Sequence, residues 1–307
     1  MNPTQLLEES TSTPSPFRAG ILPISVIVPV REEGRNLEAC LQSIQGCDEI
    51  FVIDSFSADD TVEIARRYGA KVFQFDYQGG WPKKRQWALD TLTFRNGWIL
   101  LLDADERVTP ALRYEMERAI QDLRYDGYFI ALHMRFLGQT LDHGDTSFYK
   151  LSLFRAGKGR FECRLNDQDS SMGDMEVHEH VVVDGPTSSL KHALIHHNVE
   201  SLSRYIRKHD EYSNWECRVL LDEGRNSSSI PASIWGSQAQ RRRWLKQKFL
   251  RIPGSPVLLF LYRYLFRLGF LDGIPGLIYC AFQGIQLFHT KAKMYELRGQ
   301  RRTDQAA

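Results

Sequence analysis

Residues 98–106 read Trp-Ile-Leu-Leu-Leu-Asp-Ala-Asp-Glu, an uninterrupted apolar run that ends abruptly in acids. A short continuous apolar run suits a central strand of a parallel sheet, covered on both faces. Ligands of such sheets gather outside the carboxyl ends of the strands, so the acids stand where a ligand binds. Asp103 and Asp105, two apart on an extended chain, point to the same side. Paired oxygen donors of this kind suit Mg²⁺ or Mn²⁺ shared with substrate phosphates. The alternative for the same residues is a solvated turn in which Asp105 or Glu106 caps a helix beginning near Pro110.

Upstream, the apolar run Ile24 to Val30 ends at Arg31-Glu32-Glu33, and Leu37, Leu41 and Ile44 then recur at helical spacing. A second run, Glu49 to Ile53, ends at Asp54-Ser55, with Asp59 or Asp60 placed to cap a helix that stops at Gly69. Lys71 to Phe75 reads as a third strand, and a helix from Lys83 to Leu92 leads into the Trp98 strand. Another helix is predicted from Pro110 to Leu123. Strands alternating with helices argue an α/β fold with a mostly parallel sheet. Further on, Tyr128 to Phe136, Lys150 to Phe154 and Val177 to Val183 read as strands of a mixed extension. Ser201 to Leu221 is a long amphipathic helix with Tyr205, Tyr212 and Trp215 among its inward residues, ended by Gly224.

This divides the chain into a Ser/Thr/Pro-rich tail (1–22), an α/β unit (23–222) and a basic, apolar helical region (223–307). The tail lacks the basic start and apolar core of a signal peptide and is expected to be mobile. Five cysteines without C-x-x-C spacing indicate neither a disulfide framework nor a zinc site, and a reducing compartment is expected. The net charge of +1 gives no argument for nucleic acid as a partner. Charge is unevenly placed, however: Gly224 to Leu271 contains no acid, while Arg241 to Arg251 interleaves cations with Trp244, Leu245, Phe249 and Leu250. Such chemistry suits an anionic membrane surface. Arg263, Arg267 and Asp272 interrupt the apolar stretch that follows, so peripheral or re-entrant association is expected rather than a spanning helix.

No G-x-G-x-x-G follows the first strand and no G-x-x-x-x-G-K-[ST] occurs, which disfavours a dinucleotide site or a P-loop. Phosphates would instead meet a metal held by Asp105 and the cations Lys83-Lys84-Arg85 at a helix start. The alternative for that basic triplet is a solvated helix turn. His178, His180, His192, His196 and His197 invite a metal-cluster reading, but alternating histidines on strands are more often wall residues.

The segments Ile24 to Pro29, Glu33, Val52-Ile53-Asp54-Ser55 with Ser57 to Thr61, and Leu101 to Glu106 resemble family 2 glycosyltransferases over roughly residues 24 to 215. These are inverting enzymes with the nucleotide-sugar fold of type A. Leu102 to Pro110, Val177-His178-Glu179, and His196 followed by Lys208 and Tyr212 are most similar to bacterial transferases adding a β-linked sugar to the lipopolysaccharide inner core. The resemblance implies that Pro29, Glu32 or Glu33, and Asp54 with Ser55 line the nucleotide base and ribose; the helix start read above adds Lys84 and Arg85 for the donor's phosphates. It implies that Asp103 approaches the ribose or sugar, that Asp105 binds Mg²⁺ or Mn²⁺, and that His196 touches the diphosphate or its metal. Glu179 is implied as the general base, with Asp174 and Asp169 as runners-up, while Lys208 and Tyr212 pack their helix onto the catalytic unit. Many members carry two acids after the second strand where this chain has Asp54-Ser55, so the base stays open, with uridine first.

The expected reaction is in-line attack by an acceptor hydroxyl on the anomeric carbon of a nucleotide sugar. The expected acceptor is lipid-linked or of lipopolysaccharide type, at the cytoplasmic face of the inner membrane. The alternatives are a sugar nucleotidyltransferase, which would show a Gly-rich basic loop after the first strand, and an inactive membrane-associated binding protein, which would lack Asp105 or Glu179.

Overall fold

A computed structural model describes residues 20–146, 148–163, 174, 179–197, 201–222, 233–235, 241, 244–245 and 248–306. The 1–19 part of the expected tail, and Asp169 and Met175 to His178, lie outside these.

The chain opens with β1 (Leu22–Val30), α1 (Gly34–Ser43), β2 (Cys47–Asp54), α2 (Thr61–Arg67), β3 (Lys71–Gln74), α3 (Lys84–Thr91) and β4 (Trp98–Leu101). These four strands run parallel in the order β3-β2-β1-β4. Their apolar runs are continuous because both faces are covered. Val26, Val28 and Leu100 pack into one core with Leu37, Leu41 and Leu112, while Ile27, Ile53 and Leu101 pack into a second with Phe51 and Ala88. The short turns are tied across the sheet edge: Asp59 accepts the backbone N–H of Gly34 (3.0 Å) at the start of α1 and that of Thr61 (3.1 Å) at the start of α2. A Cβ at Gly34 would meet the Asp60 carboxylate, which would have to swing aside.

The second half adds β5 (Glu106–Arg107), α4 (Pro110–Ala119), β6 (Gly127–Phe136), β7 (Gln139–Thr140) and β8 (Phe148–Arg155), then β9 (Gly159–Phe161), β10 (Val181–Val183), β11 (Thr187–Ser189) and β12 (Leu194–His197). β8 inserts antiparallel between β4 and β6, and the path continues through β12 to β5. The α/β class with a mostly parallel core and a mixed extension is therefore what forms. Three details differ from expectation. The cap of α4 is Thr109, whose hydroxyl accepts the Leu112 N–H (3.2 Å), and not Asp105 or Glu106; Glu106 instead enters β5 and receives the Asp103 N–H (2.9 Å). Helix α4 ends at Ala119 rather than at Leu123. The basic triplet is not a solvated turn, for Lys83 and Lys84 are both fully buried and Arg85 nearly so.

The remaining described chain includes α5 (Leu202–Asp222), α6 (Ser255–Leu261) and α7 (Gly273–Ala306), with a π-helical turn (Tyr262–Phe266) and a 3-10 turn (Gly269–Asp272) between the last two. Met134, Phe136 and Leu141 of the sheet extension share a core with Tyr205 of α5 and Tyr279 and Cys280 of α7. The helical region is thus fastened to the sheet by common apolar burial. Among the described residues no single helix is long and apolar enough to cross a membrane; α6 and its continuation meet α7 at a 76° bend.

Candidate active site at the strand ends

Parallel pairing sets Val30 beside Asp54, and Ile27 beside Leu101, so the chain leaves β1, β2 and β4 along one edge. That edge gathers Glu32, Glu33, Asp54, Ser55, Asp103 and Asp105. Pro29 is buried within β1 opposite Ile53. Asp54 is fully buried and accepts the Ser57 N–H at 3.1 Å. Glu32 takes a left-handed backbone (φ 56°), and its carboxylate accepts the Ala58 N–H at 2.8 Å, locking the β1 turn to the β2 turn. Glu33 receives Asn36 Nδ2 and Arg204 Nη2, each at 2.9 Å. Burial pushes the Glu33 carboxyl above its ordinary range, helped by Asp105 and opposed by Asn36 and Arg204.

Asp103 lies between two cations. One oxygen pairs with Arg85 and the other with Lys150 Nζ at 3.0 Å; the same ammonium reaches Glu106 at 2.8 Å. Burial alone would raise the Asp103 carboxyl, but Arg85 and Lys150 outweigh it and hold the group far below the usual carboxylate range. Asp103 is therefore an acceptor only. The same carboxylates raise Lys150 against its burial.

Asp105 faces β12. His196 Nδ1 stands 3.7 Å from Asp105 Oδ1 and 3.8 Å from Glu106 Oε1, and among the described residues this buried nitrogen has no hydrogen-bond partner. Burial pushes the imidazole down, and the Asp105 and Glu106 carboxylates outweigh it and raise it. Lys208 approaches from α5, stacked 5.9 Å from the Tyr212 ring. Tyr212, and then the Asp105 and Glu33 carboxylates, outweigh burial and lift Lys208 above the ordinary lysine range.

The other expected cation is also partnered. Lys84 Nζ lies 2.8 Å from Asp174 and donates to the Val30 carbonyl at 2.7 Å, while Ser55 Oγ bonds the same Asp174 carboxylate. Burial would raise the Asp174 carboxyl, and Lys84 with Ser55 overrides it and holds it low. Glu179 is buried just before His180, whose N–H meets Glu162 Oε1 at 3.2 Å.

The sequence reading missed Lys150 and Arg204. A lysine heading the apolar run Leu151 to Phe154 was the available signal for the first; the second shows no local signal at all.

The family described as Glycosyl transferase family 2 matches residues 25–181, which spans β1 through the first residue of β10. The chain belongs to glycosyl transferase family 2. It is 25% identical over 285 residues to the lipopolysaccharide core biosynthesis glycosyltransferase LpsC of Rhizobium meliloti, covering 90% of this chain and 93% of that protein. It is 28% identical over 213 residues to an uncharacterized glycosyltransferase of Rickettsia bellii, covering 67% of this chain and 70% of that one. Among solved structures, S. aureus TarS 1-349 overlays with a TM-score of 0.42 at 15% identity, over 90% of this chain and 91% of that chain. The mannosyltransferase PcManGT of Pyrobaculum calidifontis, solved with GDP-Man and Mn²⁺, gives 0.45 at 14% identity over 90% of this chain and 88% of that chain.

Proposed function

We propose that this edge is the donor site of an inverting transferase that moves a sugar from a nucleotide sugar, UDP-linked by preference, to a lipid-linked or lipopolysaccharide-type saccharide. The observation that carries the reading is the gathering of Asp54, Asp103 and Asp105 on adjacent strand ends of a family 2 fold. The turns after β1 and β2 offer Pro29, Glu32 or Glu33, Asp54 and Ser55 to the base and ribose. Asp103, fixed as an ionised acceptor by Arg85 and Lys150, suits hydroxyls of the ribose or sugar.

A divalent cation fits the Asp105 corner. A buried imidazole nitrogen that has no hydrogen-bond partner among the described residues, beside a carboxylate, is an incomplete donor set of the kind Mn²⁺ or Mg²⁺ takes. Among the described residues no three acids, histidines or cysteines enclose an ion by themselves, and Asp103 is turned onto its cations. The holding residues are therefore Asp105 and His196, with the remaining positions left to phosphate oxygens and water. When bound, the ion neutralises charge growing on the leaving diphosphate.

Glu179 is the proposed base. It takes the acceptor hydroxyl proton as that oxygen bonds to the anomeric carbon and the diphosphate departs from the opposite face. Asp174, clasped by Lys84 and Ser55, is a positioning residue for the segment leading to Glu179. The acceptor class rests on the likeness to LpsC. Calorimetric titration of UDP, GDP, dTDP and their sugars in the presence of Mn²⁺ tests the reading. Metal-dependent binding led by the uridine nucleotides is expected, and absence of binding by every one of them would refute it.

A further inference from the structure

The outer surface of the C-terminal helices is apolar where a surface helix is normally charged. Every exposed residue of α7 from Gly273 to Tyr295 is apolar or glycine. Ile274, Leu277, Ile285, Phe288 and Tyr295 fall within roughly an 80° arc at 100° per residue, so they form one stripe. Val257, Leu261 and Leu265 continue it at four-residue steps along α6 and the turn that follows, up to Phe266, which is 78% exposed.

The charges in this region face inward. Arg263 donates to the carbonyls of Gly144 (3.1 Å) and Asp145 (3.2 Å). Asp272 is buried and accepts the His143 N–H at 2.9 Å, with the His143 ring at the same distance. Lys291 bonds Ser255 Oγ (2.9 Å), and Lys293 bonds Asp210 (2.6 Å). Of the charges expected to interrupt the apolar stretch, Arg263 and Asp272 lock it to the β7–β8 loop, and half-exposed Arg267 pairs there with Asp145 (3.5 Å); Lys293 adds the tie to α5.

We propose that this face lies in the plane of an anionic lipid bilayer, entering one leaflet without crossing it. Charge complementarity selects that occupant. Exposed Arg241, Lys248 and Arg251 precede α6 in a segment that has no acid from Gly224 to Leu271. Arg251, Lys291 and Arg298 also line a cleft of about 890 Å³ whose apolar walls include Val257 and Phe288, a setting for a headgroup phosphate above acyl chains. A second copy of the chain would offer the same cation-rich flank and no acidic counterpart within Gly224 to Leu271. The inference stands independently of the donor assignment and bears on how a lipid-borne acceptor would reach it.

The test is flotation of the full chain with vesicles of phosphatidylcholine containing about a third phosphatidylglycerol, against phosphatidylcholine alone. The exposed-site variants Phe266→Asp and Phe288→Asp are run beside it, with thermal melts and nucleotide titration as controls for folding. The wild type should float with the anionic vesicles, and the double variant should partition about tenfold less or worse, with melting and nucleotide binding unchanged. Phe266→Trp should be quenched by brominated acyl chains. Equal partition of wild type and double variant, or no flotation of the wild type, overturns the proposal. So does a wild-type dimer in light scattering that Phe288→Asp dissolves, which would make the stripe a self-association face. Flotation with no nucleotide binding would sink the donor reading alone.

Discussion

Lys84 Nζ lies 2.8 Å from the Asp174 carboxylate, so a fully buried cation joins the end of β1, whose Val30 carbonyl it also holds, to Asp174, five residues before Glu179. A buried pair of this sort adds little over apolar packing, yet removing one partner strands the other charge in the interior. Lys84→Met should lower unfolding free energy by about 3 kcal/mol or more, and Lys84→Met with Asp174→Leu should recover much of the loss. Urea denaturation of the two singles and the double supplies the cycle. A Lys84→Met protein as stable as the wild type would show that the Lys84–Asp174 pair contributes nothing to stability.

Asp105 and Asp103 should respond differently to loss of charge. Among the described residues Asp105 makes no close ion pair of the kind that fixes Asp103, and the His196 ring stands 3.7 Å from it. Asp105→Asn should therefore leave the thermal melt nearly unchanged and reduce Mn²⁺-dependent transfer or donor hydrolysis by ~10² or more. Asp103→Asn should also lower the melt, because it leaves Arg85 and Lys150 sharing a neutral amide. Retained turnover in Asp105→Asn would remove the metal assignment.

Glu179 and Asp174 separate in the same manner. As the base, Glu179→Gln should cut turnover by at least ~10² with little change in donor affinity. Asp174→Asn should reduce stability and turnover together, since Lys84 loses its counter-charge. A pure affinity effect in Glu179→Gln would reassign that residue to substrate binding.

The strand ends were legible from sequence because β1, β2 and β4 are covered on both faces and so read as unbroken apolar runs punctuated by acids. Less legible was what those acids face. Lys150 meets Asp103 because β8 pairs antiparallel with β4, and continuing the Leu100 to Leu153 register brings the two opposite each other. Nothing local in the chain announces that pairing. The burial of Lys83 and Lys84 was hidden for the same reason: the Asp174 carboxylate that accepts Lys84 stands far along the chain. The cap of α4 was overlooked for a different one. Thr109 before Pro110 is a sound helix start, but the adjacent acids offered capping groups of equal quality, and only the fold draws Glu106 into β5.

His209 supplies a pH-dependent stability that does not involve the donor site. Its ring packs 4.0 Å from that of Tyr205 on α5, and burial depresses its pKa to about 4. An unfolded chain protonates this imidazole near pH 6.5. Between those values the unfolded state binds the extra proton, so stability rises with pH across that window. The contribution is fully present above about pH 6.5 and is lost as pH falls toward 4, amounting to about 3 kcal/mol at most. His209→Phe keeps an aromatic ring against Tyr205 and removes the titration. The urea midpoint should therefore fall less between neutral pH and about pH 4.5 in the variant than in the wild type. An identical pH response in the two proteins would mean that the imidazole is solvated in solution and that the contact with Tyr205 does not exclude water.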